Sequence, residues 1–171
     1  MSVSMHAASI PVFQHMLANL SHILDKGEAH AKARSIDPAV LLQDRLTPDM
    51  LPLVRQVLIA CDAAKNGVAR ISGVQAPKFD DTEQSFAELR ERIRKTLDYL
   101  ATVPASAMDG TEEREITFPV GRDASRTMKA QAYLLTWVLP NFFFHVTTTY
   151  AILRHDGVEL GKADYLVGAA R

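Results

Sequence analysis

The stretch TPDMLPLVRQVLIACDAAKNGVARISG, Thr47 to Gly73, decides the fold. Within it Met50, Val54, Val57, Cys61, Ala64, Val68 and Ile71 recur at alternating spacings of four and three, the period that lays one apolar seam along a helix. Such a seam is stable in water only when other helices cover it, so it predicts a bundle. Thr47 and Pro48 read as an N-cap and a first-turn proline, and Gly73 as the residue that ends the helix.

Upstream, Ile10, Phe13, Leu17, Leu20 and Leu24 carry the same kind of stripe, predicting a helix from about Ser4 to Arg34 with Gly27 weakening its later turns. A short connection through Asp37, Pro38 and Leu46 joins it to the central stretch. Downstream, Asp81 and Gln84 resemble a capping box ahead of Phe86, Leu89, Ile93, Leu97 and Leu100, and Pro104 closes that third helix. From Pro104 to Met128 the helical period lapses, while Ile116, Phe118 and Val120 alternate with Glu115, Thr117 and Pro119 as a half-exposed strand does. A long loop or short β-hairpin lying across one bundle end is therefore expected between the third and fourth long helices. The last helix, from near Met128 to His155, is apolar on most sides, which marks it as central; Arg154 and His155 suit its negative end before Gly157. The predicted fold class is all-α, an antiparallel four-helix bundle forming one domain over residues 1–171.

Charge and cysteine usage narrow the function. With 19 basic and 20 acidic side chains the formal charge is -1, so no field draws phosphate backbones or anionic lipid, and no nucleic-acid partner is expected. Cys61 stands alone, which excludes an intrachain disulfide or a thiolate zinc site and suits the cytoplasm. The opening residues lack the basic start and apolar run of an export signal. Ala130 to Leu153 contains no Asp, Glu, Lys or Arg, yet Gln131, Thr136, Asn141, His145 and three consecutive threonines, together with Pro140, favour a buried bundle helix over a membrane span.

Pro140 cannot donate to the carbonyl of Thr136, so a kink is expected there, with freed backbone polarity close to Asn141 and His145. Those two residues, four apart on one face, are the first place to seek a ligand pocket. His145 reads as a satisfied core histidine, a metal ligand or acid–base residue, or part of a metal-free pocket. Asp62 and Lys65, three apart, form a local ion pair or place Lys65 in the pocket to hold an anion. His15 and His22 lie two turns apart on what reads as a solvent-facing side. No nucleophile elbow is present, and Gly161-Lys162 lacks the rest of a phosphate loop.

FHVTTTYAILRHDG, Phe144 to Gly157, resembles the final-helix motif of the DinB/YfiT-like superfamily of four-helix bundles, HHRGQ followed by LR and G. The likeness is closer to a branch of it known as a domain of unknown function, through PLVRQVLIACDAAK (Pro52 to Lys65), FFFHVTTTYAILRHDG (Phe142 to Gly157) and GKADYL (Gly161 to Leu166). The superfamily's metal site takes one histidine from its second helix and two, four apart, from its last. On that pattern His145 matches one ligand, Asn141 stands where another would be, and the helix-two position falls near Ala60. The resemblance thus implies a degenerate metal site around Asn141 and His145, and a small-molecule-binding or structural role. The alternative it implies is a metal-dependent enzyme, thiol transferase or hydrolase-like, in which His145 holds zinc or nickel with substitute donors such as Asp62 and water. A homodimer through bundle faces is also expected.

Overall fold

Helix α3, Leu53–Ser72, buries the predicted seam from Val54 to Ile71, and Gly73 ends it in the left-handed region at φ 78, its N–H bonded to the carbonyl of Ala69. The structure is a computed structural model that describes residues 3–121 and 123–169. The start of α3 differs from expectation. Thr47 does not cap it; its carbonyl closes a separate turn with the N–H of Met50, and Pro52 holds the N-cap position. The second proline decides this, because it disfavours helical backbone at Leu51 and so resets the first turn.

Helix α1, Ile10–Arg34, starts at the first residue of its stripe and not near Ser4, with Pro11 in its first turn, and it buries Ile10, Phe13, Leu17, Leu20 and Leu24. Gly27 is a point of close approach: a Cβ there would sit 3.1 Å from Leu153 and 3.3 Å from Phe86. The connection that follows contains a short helix, α2, Pro38–Gln43, capped by the Asp37 carboxylate at 2.9 Å from the N–H of Ala39. Helix α4, Phe86–Ala101, is capped by Ser85, whose Oγ accepts the N–H of Glu88, while the Glu88 carboxylate accepts the N–H of Gln84 at 2.8 Å; Asp81 takes no part. After the single turn α5, Ala105–Met108, strands β1, Glu115–Val120, and β2, Ala124–Lys129, pair antiparallel with Phe118 opposite Arg126. Ile116 and Phe118 point inward, and Phe118 packs 4.5 Å from Tyr133 and 5.0 Å from Trp137 by ring centroid.

The last long helix begins at Ala130, because Met128 and Lys129 are taken up by β2. It runs as α6, Ala130–Tyr133, a π-helical segment, Leu134–Val138, and α7, Leu139–His155. The wide turn ends at the proline: Leu139 bonds back five residues to the carbonyl of Leu134, and Pro140, which has no N–H, interrupts the ladder at the next residue.

The described chain is therefore mostly helical with one small hairpin. Helix α3 packs on α4 and α7, and α1 packs on α4 and α7 in turn, while the buried apolar residues form one cluster between them. A final short helix, α8, Lys162–Leu166, rests on α1 and has no buried residue of its own. It is fastened by a stripe at heptad spacing: His15 bonds the carbonyl of Leu166 at 2.7 Å, Asn19 that of Tyr165 at 2.8 Å, and His22 and Lys26 meet Asp164 at 2.9 and 3.0 Å. His15 is exposed as expected, but His22 is half-buried under this helix. Among the described residues no helix is long and apolar enough to cross a membrane.

Candidate functional site

His145 sits midway along α7, 8% exposed, with Nδ1 2.7 Å from Oε1 of Gln56 on α3. The other end of Gln56 settles the ring's proton. Its Nε2 donates to the carbonyl of Leu51 at 2.9 Å, so Oε1 must face the imidazole, and Nδ1 carries the proton and donates. Burial pushes the ring's pKa down to about 4, and His145 is neutral at physiological pH.

An Nδ1–H held by a second-shell amide is also how metal-binding histidines are oriented, but the other donors are missing. Ala60 on α3 offers none, the Asn141 side chain lines a separate cleft, and among the described residues no three His, Cys, Asp or Glu side chains gather. Asp62 cannot stand in. It lies six residues beyond Gln56, about 9 Å along the helix, and its Oδ1 is engaged by Arg92 at 2.9 Å and Lys65 at 3.3 Å. The residues present do not fit a zinc or nickel centre of the superfamily kind.

The predicted Asp62–Lys65 pair exists inside a larger ion cluster that the sequence did not reveal. Arg92, 2% exposed, meets Asp62, Asp81 and Glu83 at 2.9 Å each and lies 4.1 Å over the ring of Phe79. Lys65, 5% exposed, donates to the carbonyl of Pro77 at 3.0 Å and faces the same ring. Together these contacts tie the segment between α3 and α4 onto both helices. Lys65 is thus a fastener of that segment and does not line the cleft described next. Cys61, buried beside the cluster, has its thiol pushed up to about 12 by burial, which leaves it a packing residue.

Asp62 and Asn141 do come together. With Asn66, Arg70, Tyr133 and Trp137 they line a cleft of about 170 Å³ between α3 and the π-helical segment. Asp62, Asn66 and Arg70 recur every four residues and so share one face of α3. Across from them the π turn presents Trp137, and Asn141 follows in the first turns of α7. Arg70 donates to the Tyr133 hydroxyl at 3.0 Å, bridging the two walls. The walls approach closely below, where Gly67 lies against Val138 so tightly that any Cβ would overlap it. Of the four residues proposed from sequence, the structure brings Asn141 and Asp62 to one cleft and leaves His145 and Lys65 outside it. The polar Asp62/Asn66/Arg70 stripe was visible at helical spacing; Tyr133 and Trp137 depend on the π turn, which left no local signal.

The comparisons agree with this architecture. A family model described as a domain of unknown function, DUF1993, matches residues 5–166. The crystal structure of a DinB family member protein from Shewanella denitrificans is similar at 42% identity and a TM-score of 0.86, over 94% of this chain and 90% of that one. No curated protein matches. The chain belongs to the DUF1993 family, a domain of unknown function of DinB-like kind.

Proposed function

We propose that the protein is a metal-free small-molecule-binding bundle whose ligand site is the cleft between α3 and the π-helical segment. The observation that carries this reading is convergence: polar side chains from two walls, Asp62, Asn66 and Arg70 opposite Tyr133 and Asn141, meet around one cavity at a wide helical turn. Binding sites favour clefts between helices with a few placed polar groups, and π turns recur at functional positions. In this reading residues 1–171 form one domain, and α1, α4, α3 and the last long helix close into an antiparallel four-helix bundle, an arrangement supported by the ring of neighbours each helix keeps. The near-neutral charge supports a protein that uses neither nucleic acid nor lipid, and the lone Cys61 suits the cytoplasm. His145 serves the bundle as a neutral strut between α3 and α7, and the metal-dependent enzyme finds no support in donors that stand apart.

Trp137, the sole tryptophan, lines the cleft and reports on it directly. A panel of neutral, cationic and anionic small molecules titrated against its fluorescence should give a saturable response for one class, lost in Asn141→Leu. Silence across the whole panel refutes the reading. So does one equivalent of zinc or nickel in untagged protein that disappears in His145→Ala, which would restore the enzyme.

A further inference from the structure

We infer that the cleft selects a small monocarboxylate, gripped by the guanidinium of Arg70; the inference rests on the cleft being the ligand site. Arg70 is the one basic side chain lining it among the described residues. Arg92 is matched by three carboxylates and Lys65 by Asp62, whereas Arg70 has a hydroxyl, that of Tyr133, and no ion-pair partner among the described residues. That hydroxyl holds one edge of the guanidinium, leaving the remaining N–H groups for a planar, two-oxygen acceptor.

Charge decides between carboxylate and phosphate. A phosphate dianion would face a single cation in the cleft, leaving its second charge unmatched. A monoanion is balanced by Arg70 alone. Size sets the seated part: about 170 Å³ is close to the roughly 150 Å³ that admits one benzene ring, so the cleft, open on one side, seats a single small ring or a short chain. Trp137 offers a flat apolar surface for that body, and the amides of Asn66 and Asn141 can each donate and accept toward a hydroxyl or carbonyl on it.

The test compares benzoate, its neutral isostere benzamide and inorganic phosphate, at constant ionic strength, by Trp137 fluorescence. Benzoate is expected to bind saturably, benzamide about tenfold more weakly, and phosphate not at all. Arg70→Gln should cost benzoate about tenfold and benzamide clearly less, so that the two bind alike, and Arg70→Lys should keep the preference for the anion at reduced affinity. Urea unfolding of both variants confirms that they are folded. Equal binding of benzoate and benzamide by the wild-type protein overturns the carboxylate assignment and leaves the cleft as a neutral-ligand site. Binding of phosphate, or a response confined to cationic members of the wider panel, also overturns it. If nothing in the panel binds, the cleft reading itself falls.

Discussion

Lowering the pH from about 7.5 to about 5 should remove one specific contribution to stability, that of His145. Its folded-state pKa is about 4, against 6.5 for a free imidazole. For a base whose pKa is lowered on folding, the sign is fixed: above the unfolded value neither state is charged and the full stability is present, while below it the unfolded chain binds a proton that the folded chain refuses. Each pH unit of that interval is worth about 1.4 kcal/mol, so the loss reaches about 2 kcal/mol at pH 5 and about 3 kcal/mol at the folded pKa. The comparison is with His145→Asn, which keeps an N–H donor near the position of Nδ1 for Gln56 but cannot titrate. Urea unfolding at a series of pH values gives both curves, and their difference isolates the imidazole from every other group. The wild-type curve should fall more steeply below pH 6.5, and the ring's NMR signals should stay at their neutral positions down to pH 5. Parallel curves, or a ring that titrates near 6.5, would refute the buried, Gln56-anchored histidine.

Arg92→Met leaves Asp62, Asp81 and Glu83 around a site with no central cation, and should cost about 3–5 kcal/mol in chemical denaturation. Gly67→Ala gains helix propensity but overlaps Val138, so a net loss of about 1–3 kcal/mol is expected, read as a lowered thermal midpoint together with a changed Trp137 emission. The carboxyl of Asp156 is pushed up to about 7 by burial and by its contact with Asp44, whose own pKa is lowered. Its contribution is therefore complete below about pH 4 and fades as the pH rises toward 7; Asp156→Asn should flatten stability over that range, and an unchanged pH profile would count against the shared proton.

The parts of the fold that rest on period were legible. The stripes of α1, α3 and α4 and the alternation of β1 reflect which side chains must leave water, and that requirement is written into consecutive residues. Helix starts were harder, because two signals competed. Thr47-Pro48 has the chemistry of a cap, yet Pro52 a few residues later overrode it, and Ser85 with Glu88 took the capping role from Asp81, whose carboxylate is drawn to Arg92 instead. The site was legible in part. Polarity flagged Asn141, and Asp62 was named for its pairing with Lys65, but the polarity at His145 is satisfied by Gln56, a partner 89 residues away that no local pattern could supply. The π turn arises from the whole helix adjusting around Pro140 and the packing of Phe118 on Tyr133 and Trp137, so the cleft it opens becomes visible only in three dimensions.

The way α8 is fastened to α1 carries a consequence for motion. Its four polar grips orient it closely but bury no side chain of its own fully, and water can replace each of them at small cost. Deuterium uptake should then split the molecule into two cooperative layers: amides of α8 exchanging early, through a local lifting that leaves the rest folded, and those of α3 and α7 exchanging only when the whole molecule opens.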